Sequence, residues 1–376
     1  MDMMPTNATD YLLNWVFATN TPDYVTNLKL AITPNATTVY VTNWMLPTAT
    51  NTLAYWLNWR FLLCAIVVLT PMVFAAYLIW RYEGSKDTDD EEEDENVTKG
   101  TLYADDAWRP CLKQIHPACL LAFRVFAFGT LLTFLVWNII IGGAGIFLYY
   151  TQWTFASVII YFGLGSLFSI YGCYQYCTGA VGDHVMLDKD RGAYVAPMPE
   201  ENGNQGNISK SWVPEQHYVR KTAGTWGYIF QTIFQMNAGA VILTDSVYWL
   251  VLYPLLSHLP QYHYKPTLIV IVMHSLNAVF LLVDTILNCS QFPWFRIAYF
   301  TLWTGIFVIF QWIIHACVSI WWPYPFLDLS SSYAPLWYLG VAVMHLPCYF
   351  FFVLITKLKH SLLSKWFPNS YQCMAS

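Results

Sequence analysis

Seven long apolar stretches run along the chain, at 61–80, 118–141, 149–172, 226–252, 267–287, 297–320 and 335–356. A helix needs about 20 mostly apolar residues to cross a bilayer core. Inside lipid the backbone must satisfy its own hydrogen bonds, so each stretch reads as a helix. The short alternating segments of a membrane β-barrel are missing. The pattern therefore predicts an all-α polytopic transmembrane helix bundle with about seven spans. Its parts are an extracellular or lumenal N-terminal tail (1–56), a first span (57–81), an acidic cytosolic linker (82–117), a six-span core (118–356) holding a cytosolic loop at 179–224, and a cytosolic basic tail (357–376).

Polar positions interrupt the apolar pattern with a helical period. On the fifth stretch His274, Asn277, Asp284 and Asn288 are spaced 3, 7 and 4 residues apart. At about 100° per residue they share one face. Thr301, Thr304, Gln311 and His315 repeat that spacing on the sixth stretch, and Ser319 continues the face. Ionisable groups within a span are costly and usually face the bundle interior, so both stripes should point to a shared interior. By depth, His274, Asp245, Ser246 and His315 belong to the outer halves of their spans. Thr151 and Thr154 open the third span from the outside, and His345 is nearer mid-membrane. Asp284, near the inner end, reads as structural.

Composition sharpens the class. Hydrophobic residues make up 56% of the 376, charged ones 11%, against about 25% charged in an ordinary soluble domain. That excludes a soluble enzyme, a disordered chain, a nucleic-acid binder and a secreted disulfide scaffold. The net charge of −5 is local: 87–95 carry eight of the 23 acids, and without them the 18 basic residues outnumber the 15 acids left. The run at 86–95 repels itself and reads as a disordered spacer. With the stretch after the first span taken as inside, fourteen Lys and Arg fall inside and three outside (Lys29, Arg60 and Lys265). The N-terminus is then outside or lumenal and the C-terminus cytosolic, in the plasma membrane or endoplasmic reticulum. Arg124, in the second span, should snorkel to the inner surface. Sequons at Asn7 and Asn35 suit that orientation, while those at Asn96, Asn207 and Asn288 fall on the inner side.

Nine cysteines, an odd number, give no disulfide framework. Cys173 and Cys177 lie one turn apart with His184 nearby, a set of three candidate zinc ligands. Palmitoylation fits their juxtamembrane place better, and unmodified thiols are the default. No metal or cofactor is expected, since no Walker loop, dinucleotide fingerprint, HExxH or GxSxG is present. Gly142–Gly145 reads as a tight outer turn.

The same residues carry a family resemblance. Tyr150-Thr151-Gln152-Trp153-Thr154-Phe155, followed by Tyr161-Phe162-Gly163, resembles a helix opening of the rolling stone-like membrane proteins and their relatives, the androgen-induced-gene membrane proteins. Val247-Tyr248-Trp249, Met273-His274-Ser275 and the 322–328 segment, Trp-Pro-Tyr-Pro-Phe-Leu-Asp, follow in the family's order. The resemblance covers roughly 118–356, and the run at 149–163 looks closest to plant members. It implies an intramembrane threonine hydrolase that cleaves fatty acid esters of hydroxy fatty acids. Thr151 matches the family's nucleophile and His274 its partner. Gln152 departs from the Phe of the androgen-induced branch, and the first span and acidic linker are additions.

A threonine hydroxyl needs a base to take its proton, and a neutral imidazole can do so. By triad logic a third group orients that imidazole. Asp245 or His315 could serve, with Thr154 and Asn277 in support. A lipid-like substrate would enter from the bilayer, with Trp153, Trp321 and Trp322 at the interface. The partners expected are membrane lipids, not nucleic acid. Two other readings stay open: a non-enzymatic fusion, adhesion or scaffold protein whose polar network packs helices, and a transporter or metal-dependent membrane enzyme using His274, His315, His345 and Asp245.

Overall fold

The computed structural model describes residues 50, 52–83, 103–178, 186–187, 194–195, 222–257 and 265–373. The charge run at 86–95, the sequons at Asn7, Asn35, Asn96 and Asn207, and His184 lie outside them. Among the described residues, seven long helices form an all-α bundle: α1 (Trp59–Glu83), α2 (Pro117–Gly142), α3 (Tyr150–Thr178), α4 (Thr225–Ser246), α5 (Leu268–Leu287), α6 (Ile297–Cys317) and α7 (Ala334–Trp366). A two-residue antiparallel pair joins Met186–Leu187 to Tyr194–Val195.

Six of these helices are long and apolar enough to cross a membrane, so the chain is an integral, multi-pass membrane protein. The seventh, α4, carries Gln231, Gln235, Asn237 and Asp245, all buried. It packs against α3, α5, α6 and α7. Neighbours rather than lipid cover its surface, which frees its sequence from the need to be uniformly apolar. Tyr161 of α3 stacks on Phe230 and Phe234 of α4, with ring centroids 4.8 and 5.3 Å apart. On one flank α2 packs on α3 and α5, and on the other α1 packs on α6 and α7.

Local chemistry sets the helix ends. Pro117 starts α2, where its missing N–H costs nothing, and Nδ1 of His116 accepts from Ala118 N at 3.1 Å. Gly143 ends it at φ 65°, a left-handed conformation that favours glycine. The expected 142–145 turn is present. The last helix runs to Trp366, ten residues past the expected boundary, and 367–373 then fold back along the base of the bundle.

Buried polar groups are paired across helices. Arg124 does not snorkel: it is fully buried, with Nε 2.8 Å from Oδ1 of Asp284 and Nη1 donating to Ala107 O at 2.6 Å and to the Ser169 hydroxyl at 2.9 Å. The carboxylate also accepts from Tyr161 and from Asn288 Nδ2. Partners on three elements, the 104–107 turn, α3 and α5, hold the guanidinium inside the bundle. Asp284, expected to be structural, is thus ion-paired, and Asn288 beside it is fully buried. Arg296, also fully buried, ties α6 to α1 and α4 through Glu83 at 2.9 Å and Gln235 at 3.0 Å. The missing disulfide framework needs correction, because Cys289 is bonded to Cys373 across 84 residues of sequence. Folding, not spacing, creates that proximity.

Candidate functional site

A cavity of about 480 Å3 opens where α3, α4, α5 and α6 meet the loop after α6. Thr151 and His274 both line it, on opposite elements, together with Gln152, Tyr248, Thr304 and Tyr324. Most of the remaining wall is apolar, built from residues such as Leu243, Val247, Ile269, Phe307 and Val308.

Local departures from regular helix place His274 and the residues it meets. Two π-helical turns face each other, Val247–Leu252 at the end of α4 and Val272–Leu276 within α5. Such turns re-aim side chains and recur at functional sites. His274 leaves helical geometry at φ −116°, ψ 21°. Its carbonyl, released from the helical ladder, accepts from Trp249 Nε1 at 2.6 Å. Its ring lies flat on Tyr248, with centroids 4.0 Å apart and planes 6° from parallel. Nδ1 is 3.8 Å from Oδ1 of Asp245. That is a close contact, longer than a hydrogen bond.

Thr151 sits in the first turn of α3, just after the glycine turn, with its hydroxyl 3.5 Å from the Tyr324 hydroxyl. Burial pushes the Tyr324 phenol up to about 12, so it stays protonated and able to donate at neutral pH. No hydrogen bond among the described residues joins Thr151 to His274.

The other candidates divide. Asp245 stands beside His274. Asn277, fully buried one turn further along α5, lies near that carboxylate and accepts from Ala278 N at 2.9 Å. Thr154 is fully buried next to Tyr150 and is not among the lining residues. His315 is not brought to His274. Its ring stacks on Trp322 at 3.7 Å, its Nδ1 faces Gln311 O at 2.7 Å, and its carbonyl accepts from Thr50 at 2.5 Å. It joins the N-terminal segment to the loop after α6. Trp322 is correspondingly buried rather than interfacial. Gln311 braces the turn before α3 by donating to Leu148 O at 2.8 Å.

A second threonine–histidine pair lies at the edge of the same cavity. Thr304 Oγ1 is 2.9 Å from Nε2 of His345 and 2.8 Å from the Tyr150 hydroxyl. Nδ1 of His345 faces Val341 O at 2.8 Å. A carbonyl can only accept, so Nδ1 carries the proton and Nε2 accepts. Thr304 and His345 also line a neighbouring cavity of about 330 Å3 between α1, α6 and α7, so Thr304 stands in the wall between the two. Thr304 and His345 were visible as polar positions within spans. Their contact, and the roles of Tyr150, Tyr248 and Tyr324, were hidden because tyrosine is abundant and fits an apolar wall without comment.

The chain matches no protein-family model, no curated protein and no solved structure.

Proposed function

We propose that this protein is an intramembrane hydrolase of a fatty-acyl ester, with Thr151 as nucleophile and His274 as its base. The observation that carries the reading is the shared cavity: a threonine hydroxyl and an imidazole on different helices face one apolar space, with a carboxylate 3.8 Å behind the imidazole. Asp245 favours the proton on Nδ1, which leaves Nε2 to receive the Thr151 proton. The Tyr324 hydroxyl and the Gln152 amide are the donors available for an oxyanion. Catalytic contacts often tighten only when substrate arrives, and an acyl chain suits a wall of leucine, valine and phenylalanine. The substrate is a membrane lipid entering sideways from the bilayer. The resemblance to rolling stone-like and androgen-induced-gene proteins points the same way. We place the N-terminus outside or in the lumen and the C-terminus in the cytosol, in the plasma membrane or endoplasmic reticulum.

A fluorophosphonate probe applied to membranes holding the full chain tests the reading. Labelling that disappears in both Thr151→Ala and His274→Ala is the expected result. Labelling unchanged in Thr151→Ala overturns it.

One observation favours a second reading in which the polar groups only pack helices: the Thr304–His345 pair is the more tightly hydrogen-bonded, and the Thr304 hydroxyl also reaches Phe300 O at 3.2 Å. On that reading no probe labels any threonine.

A further inference from the structure

Three chain segments lie side by side at the base of the bundle, on the end away from the cavity mouth. Residues 110–113 form the middle one. Cys111 N donates to Leu287 O at 2.8 Å on one side, while Gln372 N donates to Cys111 O at 3.0 Å on the other. Bridges pair Pro110 with Asn288 and Leu112 with Tyr371. This small ladder brings Cys111, Cys289 and Cys373 together, with their sulfurs all within 4.8 Å of one another. Cys289 and Cys373 are bonded, and the Cys111 sulfur is 3.4 Å from that of Cys373. All three are buried, packed against Leu112, Leu363 and Tyr371.

We propose that these cysteines form a thiol–disulfide exchange site, in which Cys373 of the C-terminal tail switches its bond between Cys289 and Cys111. The Cys111 thiolate attacks the Cys373 sulfur. A Cys111–Cys373 bond forms, the Cys289–Cys373 bond breaks, and Cys289 leaves as a thiolate that takes up the proton Cys111 released. The exchange is an isomerisation and consumes no oxidant or reductant. It requires a thiol touching one sulfur of a disulfide, which is the arrangement present.

Two neighbours fit this role. The buried Lys359 ammonium, donating to Thr285 O and Asn288 O at 2.9 Å each, lies next to Cys111 and favours its thiolate. Burial pushes the Cys111 thiol up and the ammonium pulls against it, so the thiolate forms transiently. The Cys111 thiol also donates to Asn288 O, which holds it beside the disulfide.

A tetrahedral metal would want a fourth ligand. Among the described residues no further His, Cys, Asp or Glu completes the set. On the orientation proposed above, this base faces the cytosol, where a disulfide is transient and regulatory rather than structural. The switch acts on a mechanical link. With Cys289 bonded, the tail is clamped to the end of α5, the helix that carries His274. With Cys111 bonded, the tail is tied to the middle segment instead, and the end of α5 keeps only its hydrogen bonds to that segment and to Lys359.

Full-length protein in detergent, equilibrated in glutathione buffers of graded ratio, is acid-quenched, blocked with N-ethylmaleimide after denaturation, and mapped for cross-linked peptides. Wild type should yield both Cys289–Cys373 and Cys111–Cys373 peptides, in a proportion independent of the glutathione ratio. Cys289→Ser should move the whole cross-link to Cys111–Cys373, and Cys111→Ser should leave Cys289–Cys373 alone. Wild-type mapping decides if either variant fails to elute as a monodisperse species. A Cys289–Cys373 peptide alone, with Cys111 fully blocked at every ratio, overturns the proposal. So does one equivalent of zinc per chain with all three thiols reduced.

Discussion

The Thr304 hydroxyl lies 2.9 Å from Nε2 of His345, while Thr151 faces His274 across a cavity with no hydrogen bond between them among the described residues. The proposed mechanism nonetheless assigns the nucleophile to Thr151, not to the more tightly bonded Thr304. Thr304 has one proton to share between His345 and the Phe300 carbonyl, and its oxygen also meets the Tyr150 hydroxyl. Its one proton and one of its lone pairs are already engaged within the wall. Thr151 has one loose contact, at 3.5 Å, and is open to an incoming carbonyl. Thr151→Ala should therefore abolish fluorophosphonate labelling, while Thr304→Val should retain most of it. The reverse pattern transfers the nucleophile's role to Thr304.

Asp245 makes a finer test of the same site. On the proposed mechanism, a carboxylate 3.8 Å from Nδ1 biases the imidazole tautomer and would stabilise the cation formed during proton transfer. Asp245→Asn keeps the shape and loses the charge. Hydrolysis should fall by about 10²–10⁴-fold, the range for a general base that can no longer work, with an unchanged elution profile in detergent. Full activity in Asp245→Asn would make the carboxylate a packing group.

The fold was legible because its signal is redundant. Twenty consecutive apolar residues leave few alternatives, and six of the seven expected spans meet the membrane criteria by length and composition. The site was legible in part. Periodicity put His274, Asn277 and Asp284 on one face of α5, and the last two are fully buried. Periodicity alone cannot see two π-helical turns, which rotate the following residues and decide that His274 meets Tyr248 and Asp245. It also treats a helix face as uniform, whereas Asp284 belongs to the Arg124 network and His315 to the loop after α6. The cysteine cluster left no trace in local spacing, since its members come from positions 111, 289 and 373.

The Arg124–Asp284 pair predicts an asymmetric response to substitution. Removing one partner leaves a buried charge uncompensated, at a cost of about 3–5 kcal/mol, whereas replacing both with apolar residues is often neutral. Asp284→Leu should lower the detergent melting temperature and the yield of monodisperse protein. Arg124→Leu combined with Asp284→Leu should recover much of the loss. A double variant as unstable as the sum of the two single ones would contradict the pairing argument.

The proposed orientation rests on the fourteen-to-three basic bias. A tag after Ser376 should be reached once the plasma membrane alone is selectively permeabilised, with organelle membranes intact. A tag before Asp10 should sit on the opposite face. Both tags on one side would require an even number of crossings, and would leave α4 as the helix that does not span.

Gly239 offers a route to the cavity from outside it. This glycine of α4 faces Phe300 of α6, and a Cβ there would meet the ring at 2.5 Å. The ring is fully buried and stacks on His345 with centroids 4.3 Å apart. Gly239→Ala should therefore push Phe300 against His345 and loosen its 2.9 Å contact with Thr304. Overpacking of this kind costs about 1–3 kcal/mol, enough to lower the melting temperature while leaving the bundle assembled. The paired variant Gly239→Ala with Phe300→Leu relieves the overlap and should restore most of the stability. A Gly239→Ala protein as stable as wild type would mean that α4 and α6 pack less closely than the structure has them.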